Sequence, residues 1–236
     1  YKHGIPLFAS SIMAGLYAKT QGQLTPAMYD INSSVFGRQY IFGGQLGAAY
    51  NFNNHISAYA GVRFNYLNGL YKGNATAVMK NGGDPMIDLR LHCKQTGFGV
   101  APILGLDYKV GNLTLGAKYE FRTNLTAKNE TKENTDPNGA LAAYADGVKT
   151  PTDMPAMVAV AAGYDFTSKL RASVEYHFFD DKNADMAGAK EKALKRGTSE
   201  VLAGVEYDIN RMFTVSVSGQ RTDYGLTDGY QSDLSF

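Results

Sequence analysis

The hydrophobic and polar positions of this chain repeat one phrase four times: an alternating apolar run, an aromatic, a short polar turn, and a second alternating run. The repeats occupy Tyr40–Tyr66, Phe98–Phe121, Met157–Phe178 and Val201–Val217. A period of two sends successive side chains to opposite faces of a strand, so each repeat predicts a β-hairpin. In the first, Tyr40, Phe42, Gly44, Leu46, Ala48, Tyr50 and Phe52 share one face, opposite Gln39, Gln45 and Asn51. After Asn53-Asn54-His55 the apolar face resumes with Ile56, Ala58, Ala60, Val62, Phe64 and Tyr66, opposed by Ser57, Arg63 and Asn65. The other hairpins turn at Gly111-Asn112, at Ser168-Lys169 and near Asn210-Arg211. Further strands are predicted over Ile12–Lys19 and from near Tyr230.

Alternation over about ten residues exceeds the usual globular strand of about five or six and matches the tilted strands that cross an outer membrane. Rings mark both strand ends. Tyr50, Phe52, Tyr108, Tyr164, Phe166 and Tyr207 precede the tight turns, while Tyr66, Tyr119, Phe121, Tyr176 and Phe178 lie at the far ends. Two ring bands suit the two interfaces of a bilayer. A soluble sandwich or lipocalin-like barrel also alternates, with its apolar face turned inward. Strand length, the paired ring bands and an opposite face rich in Gly, Ser, Thr and Asn favour the membrane. The expected fold is therefore all-β: an antiparallel up-and-down transmembrane β-barrel with about ten strands visible. Residues 1–236 form one domain in this reading, with long extracellular loops near 20–37, 68–97, 124–153 and 180–199. Asn129–Asp136 is expected to be a mobile polar loop, and Ala184–Arg196 a short helix.

Composition narrows the classes. With 23 basic and 22 acidic side chains the net charge is +1, which supplies no footprint for nucleic acid. Cys93 is the single cysteine, so neither an internal disulfide framework nor a zinc site of several cysteines is available. No apolar run is long enough for a transmembrane helix, and a negative mean hydropathy leaves spanning strands open. The chain begins at Tyr1 without an initiator Met, as expected of a mature or partial chain.

Candidate chemistry is sparse. From alternation alone, Arg63, Lys118, Glu120, Arg122, Arg171, Glu175 and His177 are expected to line the lumen. His177 and Glu175 suit an acid–base pair or, more simply, a hydrogen-bonded pair in a polar interior. His92 and Cys93 are adjacent on a strand and point to opposite faces, a poor start for a metal site. Asp180-Asp181 is a paired carboxylate at the start of a loop, and the lysines of Ala184–Arg196 (Lys190, Lys192 and Lys195) are placed either to meet lipid phosphates or to be solvated. Gly43-Gly44 and Gly82-Gly83 lack the strand–turn–helix setting of a phosphate loop. No metal and no cofactor is expected.

Thr152-Asp153-Met154-Pro155-Ala156 runs into the strand Val158–Phe166, and Lys169–Tyr176 follows. This Pro-led strand, short turn and Leu-to-Tyr return strand resembles the FadL/TodX outer-membrane transport family, in its Bacteroidetes-like branch. Lys118–Thr123 resembles the strand before that pair, and the likeness extends over Gly43–Gln231. The resemblance implies a monomeric barrel of fourteen strands with an N-terminal hatch. It implies passive uptake of hydrophobic small molecules such as long-chain fatty acids, which pass through the barrel or leave sideways through its wall. The expected setting is the outer membrane of a Gram-negative bacterium, with membrane lipid and lipopolysaccharide as neighbours and no enzymatic activity. The chain departs from the pattern in showing about ten strands and no hatch, so an incomplete chain is expected. The lumenal cations would then meet a ligand carboxylate. The alternatives are a barrel hydrolase, protease or lipase, and a non-transporting barrel that serves protein secretion.

Overall fold

The computed structural model describes residues 29–85 and 87–226. Its strands are β1 (Tyr29–Asn51), β2 (Ile56–Met79), β3 (Ile87–Val110), β4 (Leu113–Glu120), β5 (Thr126–Asn134), β6 (Lys149–Pro151), β7 (Met157–Asp165), β8 (Leu170–Phe179), β9 (Thr198–Asp208) and β10 (Thr214–Asp223). Hydrogen bonding follows the path β1-β2-β3-β4-β7-β8-β9-β10, with β5 paired to β3 and to β6. Each neighbour on the path is next in sequence apart from the β5–β6 excursion, which is the meander that the four hairpins predict. All four tight turns fall where the sequence places them.

Two compact units share these strands. One comprises residues 43–65, 99–125 and 151 onward, and it holds most of the hairpin sheet. Its register is unbroken across five strands: Leu115 pairs with Ala162, Ala162 with Val174, Val174 with Ala203, and Ala203 with Gly219. Paired residues share a face, so Val158, Val160, Tyr164, Val174, Tyr176, Val201, Val205, Tyr207, Val215 and Val217 form one apolar surface. That surface is exposed, with Val217 at 73%. The buried apolar residues of this unit are few by comparison: Ala101, Ile103, Leu125, Ala184 and Leu194. An inward-facing core, as a soluble sandwich requires, is not how these valines and tyrosines are used. A continuous apolar sheet face of this size is what hydrocarbon accommodates and water does not. Among the described residues no helix is long and apolar enough to cross a membrane.

The other unit comprises the described residues up to Phe42, Tyr66–Phe98 and Thr126–Thr150. It has its own dry centre. Ala75, Ala77, Ile87, Leu89, Leu91 and Cys93 pack under Leu141 and Tyr144, with Tyr71 against Tyr144 at a ring separation of 5.6 Å. Burial pushes the Tyr144 phenol up to about 12, helped by the neighbouring Tyr71 and Cys93, and burial likewise raises the Cys93 thiol and the Tyr71 phenol. Asn129 is fully buried and ties the loop down: its amide donates to Ala143 O at 3.0 Å and Ala145 O at 3.1 Å, and its Oδ1 accepts from Gln95 at 2.8 Å.

Several expected loops are strand. The stretch 29–37 belongs to β1, and 68–79 and 87–97 extend β2 and β3, leaving only a short turn between them. The reason is visible in β3, where burial alternates in one phase from Ile87 to Leu104. Its exposed positions simply change from polar to apolar along the way. Asn129–Asp136 is not a mobile loop either: most of it is β5, paired to β3 from Thr96↔Lys128 to Leu91↔Asn134. Polar residues form a strand there because Asn129 and Thr131 find partners inward while Lys128 and Glu130 face solvent. The helix expected over Ala184–Arg196 is a pair of short 3-10 turns, broken at Gly188 (φ 72°) and Ala189 (φ 53°). The buried Glu191 carboxylate accepts from Met186 N at 3.1 Å, a local bond that competes with a continuous helix. The strands expected at Ile12–Lys19 and near Tyr230 lie outside the described residues.

Candidate ligand-binding face

The polar face of the hairpin unit carries its charges in register. Lys118, Ala159, His177 and Glu200 form one row across β4, β7, β8 and β9. Gly116, Ala161, Glu175 and Leu202 form the next, and Arg171 and Glu206 share a third beside Asp165. Small residues between the long ones leave an open depression of about 270 Å³. It is lined by Tyr59, Gly105, Asp107, Gly116, Lys118, Glu175 and His177. A second hollow of about 360 Å³ lies over Thr114, Gly163, Ser173, Gly204, Ser216 and Ser218, with Arg171 and Glu206 at its edge.

By their charge contacts the seven candidate residues separate into four groups, of which the first two share the 270 Å³ depression through Lys118, Glu175 and His177. In the first, Arg63 Nη1 meets Glu120 Oε1 at 2.7 Å, and Lys118 Nζ stands 3.7 Å from Glu120 Oε2. The Glu120 side chain is 9% exposed, and Oε2 accepts no hydrogen bond. Arg63 Nη2 donates to Gln45 at 2.8 Å, and Gln45 donates to the Tyr59 hydroxyl at 2.8 Å. This chain of polar groups therefore has one under-coordinated cation, Lys118, and one under-coordinated oxygen. In the second group His177 lies between Glu175 (3.4 Å) and Glu200 (3.5 Å), and Glu200 also accepts from Gln220 and Thr222. In the third, Arg171 is held by Glu206 and by Asp208 at 2.9 Å. The fourth is Arg122, which stands apart from both hollows. Arg122 meets Asp153 at 3.6 Å and Asp185 at 3.8 Å and donates to Asn183 O, tying two connections together.

Tyr59, Glu200, Glu206 and Asp208 escaped the sequence reading. The three carboxylates alternate with Val201, Val205 and Tyr207 on β9, so their signal was present. Tyr59 is harder, because an aromatic on a polar face reads as apolar. Its marker is the glycine on either side of the ring: a Cβ at Gly47 or Gly61 would collide with the Tyr59 hydroxyl. Asp180 and Asp181 serve the loop, accepting from Asn183 Nδ2 and from Thr198 N respectively. His92 faces out while Cys93 is buried, and no group of metal-binding side chains occurs among the described residues.

Comparison with known proteins places this geometry. Neither a protein-family model nor a curated protein matches the sequence. Among solved structures the chain resembles a Pseudomonas aeruginosa FadL homologue, with a TM-score of 0.60 and 14% identity over 83% of this chain and 52% of that one. It also resembles the Ralstonia pickettii toluene transporter TbuX (TM-score 0.52, 14% identity, 83% of this chain and 66% of that one). The Pseudomonas putida toluene transporter TodX is similar too (TM-score 0.51, 13% identity, 79% and 56%). The chain spans about half to two-thirds of the length of these structures. At such identities the likeness establishes the fold, an antiparallel β-barrel of the FadL/TodX transporter type.

Proposed function

We propose that this chain, which has the FadL/TodX transporter fold, is the greater part of an outer-membrane channel for passive uptake of hydrophobic small molecules in a Gram-negative bacterium. One observation carries the reading: the valine, leucine and aromatic face of the hairpin sheet is bare, while the opposite face carries paired charges over glycine and serine. A channel wall needs that polarity, apolar toward lipid and polar toward a bore. Nothing in the bore has to react, since passive movement needs only surfaces that bind weakly and release.

For the ligand, a long-chain fatty acid fits the polar cluster best. Its carboxylate would displace the loose Lys118–Glu120 contact, because Lys118 is the least satisfied cation of the cluster. Arg63, Arg171, Glu175 and His177 already hold partners and would set the charge balance around it. The test is uptake of fatty acid and of toluene into vesicles containing the full-length protein, with and without Lys118→Met. Loss of fatty-acid uptake alone supports the carboxylate site. Loss of neither removes Lys118 from it, and failure of both substrates with the unaltered protein sinks the channel reading.

A further inference from the structure

The unit containing Tyr66–Phe98 and Thr126–Thr150 has one covered face and one bare face. Leu141 and Tyr144 cover the side that carries Leu89, Leu91 and Cys93. The opposite side is open and cationic. On β3 it presents Arg90, His92 and Lys94, then Thr96, and then Phe98, because burial alternates in a single phase along the strand. Lys72 on β2 and Lys128 on β5 are exposed on the outward-facing phase of their own strands, and Lys132 is exposed at the bulge of β5 beside His92 and Cys93. Arg90 is engaged by Asp88 (3.2 Å) and Glu133 (3.6 Å). Lys72, Lys94, Lys128 and Lys132 make no ion pair with any described residue.

His92 lies opposite Glu133 in the β3–β5 register, two residues from Lys94 and next to the bulge that holds Lys132. Its imidazole is held below the ordinary range first by partial burial and then by repulsion from Lys72, Lys132 and Lys94, with Glu133 opposing. Cations crowded this way, outnumbering the acids among them, call for an external anion. Their position along the strand says which anion. Phe98 is the last ring of the exposed apolar run on β3, and Lys94 follows four residues further on the same face. In a tilted strand that separation is about 10 Å along the membrane normal. Lysine stems bend back over a further few ångströms, so the ammonium groups reach the phosphate layer just outside the ring band.

We propose that this face binds the phosphates of the outer-leaflet glycolipid, lipopolysaccharide, through Lys72, Lys94 and Lys132. The site requires membrane insertion but not transport, so it stands or falls separately from the channel reading. Phosphate oxygens would accept charge-assisted bonds from ammonium groups that have no ion-pair partner among the described residues. Glu130 and Glu133 limit the face to a modest net positive charge, which favours a dianionic headgroup over a long polyanion.

The experiment uses full-length protein in detergent micelles, with bound lipid quantified by native mass spectrometry. Bisphosphorylated lipid A is compared with its dephosphorylated form. The unaltered protein should prefer the phosphorylated lipid by on the order of tenfold, and Lys72→Gln/Lys94→Gln/Lys132→Gln should abolish the preference. Lys190→Gln/Lys192→Gln, in the 180–199 connection, should keep it. Equal binding of the two lipids by the unaltered protein would overturn the proposal without any variant having to fold. A preference that survives in the triple variant, or lipid displaced by millimolar inorganic phosphate, would overturn it as well.

Discussion

Val160 and Ala161 are neighbours on β7 and point to opposite faces, which makes them a sensitive test of which face meets lipid. Strand β7 spans Met157–Asp165, so both residues sit near its middle. Nine tilted residues cover roughly 23 Å along the membrane normal, close to the apolar band of an outer-membrane barrel. Either position is thus near the bilayer midplane. Val160 is 45% exposed among Ala117 and Tyr176, its register partners. An arginine there would face hydrocarbon and should cost about 2–4 kcal/mol. Ala161 stands between Gly116 and Glu175, where a guanidinium has space and a carboxylate nearby. Ala161→Arg should cost under about 1 kcal/mol, the scale of a partly solvated charge. Equilibrium unfolding in guanidinium from phospholipid vesicles, followed by the gel mobility of the folded barrel, measures both. Equal costs, or a larger cost at Ala161, would refute the assignment of faces and with it the bore.

Arg63→Met leaves the Glu120 carboxylate with only the distant Lys118, and should destabilise the barrel by about 1–3 kcal/mol. The Arg63→Met/Glu120→Gln double variant should recover part of that in the same unfolding assay, and strict additivity of the two single changes would disprove the coupling. Gly47→Val should be destabilising because its side chain displaces the Tyr59 ring, and Tyr59→Ala in that background should restore stability; no rescue means that the ring is not the obstacle. Burial works against ionising Glu191, but bonds from its own backbone N–H and that of Met186, with the Lys192 ammonium, outweigh it and hold the carboxyl below its usual range. Stability from this group is complete above the unfolded value of about 4.3 and is lost as pH falls toward the folded one. Proteolysis in the 180–199 connection should therefore rise on acidification in the unaltered protein, and Glu191→Gln should remove that dependence. Cys93, fully buried with its thiol pushed up, should resist maleimide until the protein unfolds, whereas Leu141→Ala should expose it; rapid labelling of the native protein would contradict the packing of that unit.

What the sequence determined by itself is everything that follows from period two. The four hairpins, their turns, the two ring bands and the sidedness of Arg63, Lys118, Arg171, Glu175 and His177 are all readable, because a strand's faces depend only on the parity of its residues. Alternation could not say which face meets the solvent, since a dry core and a lipid surface need the same residues. Nor could it show that β3 continues through polar sequence and that β5 pairs with it, because Arg90, Lys94, Lys128 and Glu130 look like loop until Leu91 and Cys93 are seen packed beneath Leu141 and Tyr144 and Asn129 is seen bonded to Gln95, Ala143 and Ala145. Tertiary pairing alone decided which charges meet: Arg63 finds Glu120 from another hairpin, His177 finds Glu200, and Arg122 turns to the connections. Parity is local and survives in one dimension, but the partner of a charge is set by register between strands far apart in the chain.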